Sequence, residues 1–395
     1  MSVETVVMKF GGSSVADLEK VKEVAQIIEQ RKKNMSVVVV VSAMGKTTNS
    51  LIDKAYNLSE RPNLREMDML VATGEIVSAS LLSICLNEMS VPAVSLTGFQ
   101  AGFNSYGKHG SNKIEDVDVT RLKRHLDDEQ IVVVTGFQGM NPEGDITTLG
   151  RGGSDTSAVA IAAKLGAKCE IYTDVDGIYS ADPRIHKGAK KIDVVTYEEL
   201  MEMAHLGANV IEPRSVEIAE RYGVEMEIRL NDGVTPGTRV VGGKDMEKTT
   251  LTNVSKLDEV LLVSMSDKTG SSAKITECFL ELAQRNVNID IISQTIVNDQ
   301  TEISFTSTEA SKHEIEDVLK SKEIDYRMKT DVSKVSIVGT AMRNQVGIAA
   351  KVFEIFLEED IRFYEISTSE ISISYVVDTE NTTRVIELLA DAFNI

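Results

Sequence analysis

Positive charge is scarce in this chain. Its 395 residues carry 42 Lys and Arg against 61 Asp and Glu, a formal net charge of −19. Such a surface repels nucleic acid and anionic membranes, and neither is expected as a partner. An anionic ligand must be held by local cations or backbone N–H groups against that field. Cysteine is scarce too. Cys85, Cys169 and Cys278 are scattered without metal-ligand spacing. No protein metal site is expected from them, and they read as the buried, reduced thiols of a cytoplasmic protein. Long apolar runs are missing: the longest, Val37–Val41, suits a strand buried on both faces and falls short of a membrane span. No basic stretch followed by an apolar one opens the chain, so no signal peptide is expected. Also absent is the GxxxxGKS/T loop that marks one large class of phosphate binders.

What is present alternates between strand and helix patterns. Val3–Phe10 predicts a strand, and Ser14 with Asp17 three residues on predicts a helix start of capping-box type. Leu18, Val21, Ala25 and Ile28 give that helix its buried stripe. Further strands are expected at Val37–Val41, Ala93–Leu96, Ile131–Thr135, Lys168–Thr173 and Glu225–Leu230, and helices at Met67–Asn87, Asp155–Leu165 and Val210–Tyr222. The alternation over 1–242 predicts an α/β domain: an open, mainly parallel sheet between two helical layers. Gly233–Lys248, rich in glycine and mixed charge, reads as a linker.

The tail repeats itself. GSSAKITECFL from Gly270 and GIAAKVFEIFL from Gly347 share Ala, Lys, Phe and Leu at matching places. Each copy spells strand, helix, two strands, helix, and one more strand completes a ferredoxin-like βαββαβ module. The second copy reaches Ile395 before that strand, so Thr249–Ser255 is expected to fill the open edge. The expected division is 1–242, a linker with that strand at 243–256, and modules at 257–331 and 332–395.

Four clusters carry chemistry. Lys9-Phe10-Gly11-Gly12-Ser13-Ser14 ends a strand in glycines, where backbone N–H groups approach an anion and Lys9 adds a full charge. Leu149-Gly150-Arg151-Gly152-Gly153-Ser154-Asp155 sits at a helix start, and its Arg can grip a carboxylate with two nitrogens. Thr173-Asp174-Val175-Asp176-Gly177-Ile178-Tyr179, then Asp182-Pro183-Arg184, follows a strand end, where an open sheet places ligands. Ser42, Thr48 and the Gly74-Glu75 pair complete the set. Glu75 in an apolar helix start is a costly place for a lone charge, and an ammonium ligand would satisfy it.

Together, in this order, these motifs resemble the amino-acid kinase superfamily, and within it the aspartate kinases. VSAMG, TGFQG at Thr135–Gly139, GRGGSDTSA and TDVDGIYSADPR carry the resemblance, and the paired tail modules look like that family's two ACT domains. The resemblance implies phosphoryl transfer from ATP, bound with Mg²⁺, to the side chain of L-aspartate. It implies that Lys9 and Asp155 are catalytic, and that Ser42, Thr48, Glu75, Arg151 and Ser154 bind aspartate. Gly11, Gly12, Thr173, Asp174, Tyr179, Asp182, Arg184 and Asn209 would hold ATP. Asn209 stands where the family has lysine, and Arg214 is a nearby cation that could substitute. An amino-acid effector, lysine and/or threonine, would sit at Asp267, Gly270, Asn288, Ile289 and Asp290 of the first module; the second has Arg362 where the first has Asn288. A homodimer or tetramer through the ACT modules is implied, and Met246 marks where some members start a separately translated regulatory subunit. Other kinases of the superfamily, such as acetylglutamate or uridylate kinases, resemble only the first half. A sensor without turnover is a third reading.

Overall fold

A computed structural model describes residues 4–208, 210–243, 251–267, 272–297, 300–340, 342 and 346–395. They form two compact units, and the division is not a single cut. One unit comprises 4–178, 191–204 and 210–243; the other comprises 179–190, 205–208 and the described residues from 251 onward.

The first unit is built on eight strands: β1 (Thr5–Phe10), β2 (Ser36–Val41), β3 (Ala93–Leu96), β6 (Ile131–Thr135), β9 (Lys168–Thr173), β12 (Val194–Thr196), β13 (Met226–Leu230) and β14 (Thr238–Val241). Their order is β12-β14-β13-β9-β1-β2-β6-β3. All neighbours run parallel except β13 and β14. Alternation along β1 sorts the layers. Val6, Met8 and Phe10 pack against α1 (Leu18–Lys32) and α4 (Thr73–Glu88), which lie on one face. Lys9 points to the opposite face, where α6 (Gly153–Leu165) lies. β-Branched valine fills β2 because both of its faces are buried.

The remaining helices of this unit are α2 (Thr47–Leu58), α3 (Leu64–Val71), α5 (Thr120–Asp127), α7 (Tyr197–His205) and α8 (Pro213–Tyr222). A satellite sheet of β4 (Phe103–Tyr106), β5 (Lys113–Val117), β7 (Gln138–Met140) and β8 (Ile146–Thr148) was not expected. Short β10 (Ile178–Tyr179) and β11 (Lys191–Ile192) stand where the chain leaves and re-enters the unit.

Several expectations are corrected. The N-cap of the first helix is Asp17, whose side chain accepts from Lys20 N, and not Ser14, which lies in the preceding turn. The Met67–Asn87 helix is two helices joined at Ala72. The Val210–Tyr222 helix begins at Pro213, with Glu212 as its N-cap; proline is suited to a first turn, where its missing N–H costs nothing. Asn209 itself lies outside the described residues. The Gly233–Lys248 stretch is no simple linker, because β14 within it pairs on both sides. One stretch, Leu64–Glu88, does have the length and hydropathy of a membrane span, contrary to the sequence reading. Half of it is buried, and it carries the buried carboxylates Asp68 and Glu75, as a core helix pair with polar duties does.

The second unit is one six-stranded antiparallel sheet: β15 (Leu251–Asp267), β16 (Ile292–Val297), β17 (Gln300–Thr308), β18 (Asp325–Gly339), β19 (Phe363–Thr368) and β20 (Ser372–Asp378). Its order is β16-β17-β15-β18-β20-β19. The helices are α9 (Ser272–Gln284), α10 (Lys312–Ser321), α11 (Ile348–Glu358) and α12 (Thr382–Phe393). Two βαββαβ modules share it. The missing edge strand of the second copy is the first half of β15, which pairs with β18 from Leu251↔Gly339 to Leu257↔Lys334. β15 and β18 thus each serve both copies, with a register break at Leu257–Leu262 where one hands over to the other.

Candidate active site

The parallel strands of the first unit end in register. Phe10 pairs with Val41 and Tyr172, and Val41 with Thr135, so the loops that follow share one edge of the sheet. That edge is where open α/β sheets take ligands. The loops are stitched together: Ser42 N donates to Phe10 O, Gly45 N to Gly12 O, and Gly136 N to Val41 O.

Lys9 reaches across this edge to α6. Its Nζ lies 2.7 Å from Asp155 Oδ1, both side chains about nine-tenths buried, as an ion pair more than an aligned hydrogen bond. The same Nζ stands 3.6 Å from where a Cβ on Gly11 would be, so the lysine lies over the glycine turn. Because α1 starts only at Leu18, the helix N-terminus beside Lys9 is that of α6, not of α1. One residue before Asp155, Ser154 Oγ accepts from Ser42 Oγ at 2.8 Å. Thr48 is half-buried in the first turn of α2.

Glu75 sits in the first turn of α4 and is 3% exposed. Its Oε1 accepts from Ala43 N at 3.1 Å, next to Ser42, whereas its Oε2 has no partner among the described residues. Burial pushes its carboxyl up to about 7, with backbone N–H groups opposing the rise. Gly74 permits this closeness: a Cβ there would lie 2.8 Å from Ala43 Cβ.

Arg151 is exposed at the glycine turn, and no ion pair engages it among the described residues. Gly152 beside it has φ +62, and a Cβ would meet Glu212 at 2.3 Å, so this turn tolerates no side chain. Arg214 is not a free substitute cation. Its guanidinium donates to Leu149 O at 3.0 Å and Asn112 O at 3.2 Å, and burial lowers its basicity. Thr173 is half-buried and donates to the exposed Asp174 at 3.2 Å. Tyr179, Asp182 and Arg184 fall in 179–190, grouped with the second unit. There Arg184 forks onto Asp182, at 2.7 Å at the closest, which holds the Asp182 carboxyl below its usual range.

Residues 4–229 match the model of the amino acid kinase family, and 335–393 match that of the ACT domain. Aspartokinase 2 of Bacillus subtilis is 43% identical over 400 residues, 99% of this chain and 98% of that one. The aspartokinase of Geobacillus stearothermophilus is 44% identical, over 99% and 97%. The chain belongs to the aspartokinases. Among solved structures, aspartate kinase from Synechocystis matches at 39% identity and TM-score 0.56, over 99% of this chain and 69% of that one. Escherichia coli aspartokinase III in complex with aspartate and ADP shares the fold, at 23% identity and TM-score 0.82, over 98% and 99%.

In the ACT half of this aspartokinase, Asn288, Ile289 and Asp290 share the loop between α9 and β16. Asn288 is exposed, Ile289 packs on the module core, and Asp290 is paired with the buried Lys334. Gly270 and Met246 lie outside the described residues, as does the side chain of Asp267. In the second copy Arg362 lies over the Tyr364 ring at 5.0 Å, and Tyr364 donates to Asp378. The site also holds two groups the sequence reading missed. Asp68, 1% exposed, meets Thr148 and Gly110, and Gln138, fully buried, donates to Ala72 O. Asp68 had a signal: it stands seven residues before Glu75, two turns along one apolar stretch.

Proposed function

We propose that this aspartokinase transfers the γ-phosphoryl group of magnesium-bound ATP to the side-chain carboxylate of L-aspartate, in the cytoplasm. The observation that carries the reading is the orphaned, buried Oε2 of Glu75, in a contact chain that runs through Ala43, Ser42, Ser154 and Asp155 to Lys9. A buried carboxylate oxygen without a donor is costly, and an α-ammonium group supplies the donor and the charge together. Arg151, exposed and without an ion pair among the described residues, reads the α-carboxylate. Ser42, Thr48 and Ser154 orient the rest, and Thr173, Asp174, Tyr179, Asp182, Arg184 and Asn209 serve the nucleotide, with Gly11 and Gly12 turned to its phosphates.

The chemistry asks little of an acid or base. The nucleophile is already a carboxylate: its oxygen bonds to the γ-phosphorus, the bond to the bridging oxygen breaks, and ADP leaves. The product is an acyl phosphate, 4-phospho-L-aspartate. What must be overcome is the meeting of two anions, so positioning and cation screening carry the rate. Lys9 supplies that cation, a reading supported by its pairing with Asp155 beside the glycine turn. An end-product amino acid, lysine or threonine, acts through the ACT modules at the Asn288–Asp290 loop, and chains pair through those modules as a homodimer or tetramer. ADP release with magnesium, ATP and each candidate acid tests the substrate: aspartate must support it, and N-acetylglutamate must not.

A further inference from the structure

Two elements lead to the two proposed readers of the amino acid. α3 continues through Ala72 into α4, which carries Glu75. β8 ends at Thr148, three residues before Arg151. Asp68 of α3 joins them. Its Oδ1 accepts from Thr148 Oγ1 at 2.5 Å and from Gly110 N at 3.0 Å, and its Oδ2 lies 2.6 Å from His109 Nδ1. A carboxylate 1% exposed is stable only with such donors, so each bond holds its partner in place.

The loop that supplies two of those donors is laid along the Arg151 turn. Gly110 O is 3.4 Å from where a Cβ on Gly150 would stand. Asn112 N donates to Thr148 O at 2.9 Å, and Arg214 bridges Leu149 O and Asn112 O. Gln138 adds a second tie to the α3–α4 junction. Its Nε2 donates to Ala72 O at 2.5 Å, while its Oε1 accepts from Thr135 Oγ1 and Gly98 N.

The geometry points to Asp68 as a positioning residue that sets the spacing between the ammonium reader Glu75 and the carboxylate reader Arg151. This rests on the roles proposed above for those two residues. The ammonium and carboxylate of an α-amino acid hang on one carbon, so the two readers must keep one separation. A displacement of either loses a contact. Asp68 is 1% exposed and its oxygens are taken by Thr148, Gly110 and His109, so it ties the helix that leads to one reader to the strand that leads to the other. It therefore governs affinity for the amino acid and leaves ATP binding alone.

Asp68→Asn keeps the shape of the side chain but removes its charge and puts an NH₂ in place of one of the two oxygens that meet Thr148, Gly110 and the His109 ring. The Michaelis constants for aspartate and ATP, kcat and the melting temperature are measured for Asp68→Asn, Arg151→Lys and the double variant. The expected result is a rise of about tenfold or more in the aspartate KM, with ATP KM within about twofold of wild type. In the Arg151→Lys background the same substitution should add less than about threefold, because both act on one contact. A merely structural role gives equal rises for both substrates, or an effect that persists in full in that background, and either result overturns the proposal. Should Asp68→Asn fail to fold, Thr148→Val removes one donor and is read by the same split. Wild-type ADP release with aspartate is the control. Its absence would overturn the functional reading itself, whereas activity without the split overturns Asp68 alone.

Discussion

The aspartate KM, followed from pH 8 down to pH 6 at saturating ATP, reads the charge on Glu75. Burial raises this carboxyl from 4.5 to about 7, so neutral pH lies on its titration. It is about nine-tenths ionised at pH 8 and about one-tenth at pH 6. An ammonium group binds the ionised form, so the aspartate KM should rise about tenfold over that interval as pH falls. The effect on folding has the opposite sign. The folded protein holds this proton up to about pH 7, while the unfolded chain releases it near the ordinary carboxylate value. The stability this proton lends is therefore lost as pH rises from about 4.5 to about 7, by about 3 kcal/mol in all for the ligand-free protein. Glu75→Gln keeps the acceptor for Ala43 N and removes the charge. It should raise the ligand-free melting temperature at pH 8, raise the aspartate KM by about 10²-fold, and abolish its pH dependence. A flat wild-type KM between pH 6 and 8, or the same inflection in the glutamine variant, would refute the reasoning.

Lys9→Ala should lower kcat by about 10²-fold or more with the protein still folded, as measured by ADP release, because the lost charge acts on the transferring group. Activity within a few-fold of wild type removes Lys9 from the mechanism. Arg151→Lys should raise the aspartate KM far more than the ATP KM, since a point charge cannot copy the fork; equal rises would exclude it as the carboxylate reader. Tyr375 is fully buried, its hydroxyl pushed up to about 12 and unpartnered among the described residues. Tyr375→Phe should therefore stabilise the protein by about 1 kcal/mol in chemical denaturation, and a loss of stability would reveal a partner for the hydroxyl. Asn288→Ala should relieve inhibition by added lysine or threonine and leave uninhibited activity unchanged. Unchanged inhibition there, with relief on changing Arg362, would move the effector site to the second copy.

Much of this was legible in the chain because local rules and fold agree. The Val37–Val41 run could only be a strand buried on both faces, and the Gly270/Gly347 repeat implied two modules with one edge strand short. That strand was found where the shortfall required it, at Leu251–Leu257. Glu75 was legible as a misplaced charge. What escaped were features set by distant partners. Ser14 looks like a cap, but the chain makes a turn first and Asp17 takes the role. Ala72 carries no breaker signal, yet the helix divides there, where Gln138 takes its carbonyl. The Thr238–Val241 strand hides in a glycine- and charge-rich stretch because its pairing comes from β12 and β13. Asp68 escaped because its partners His109 and Thr148 lie 41 and 80 residues away in sequence.

The central claim is that an acyl phosphate forms on the aspartate side chain. Protein, ATP and Mg²⁺ are incubated with hydroxylamine and each of L-aspartate, N-acetylglutamate and succinate, and the hydroxamate is identified by mass spectrometry. We predict the β-hydroxamate of aspartate from the first, nothing from the second, and at most a trace from succinate, which lacks the ammonium group proposed to meet Glu75. Hydroxamate from N-acetylglutamate, or succinate turned over as readily as aspartate, would contradict the account.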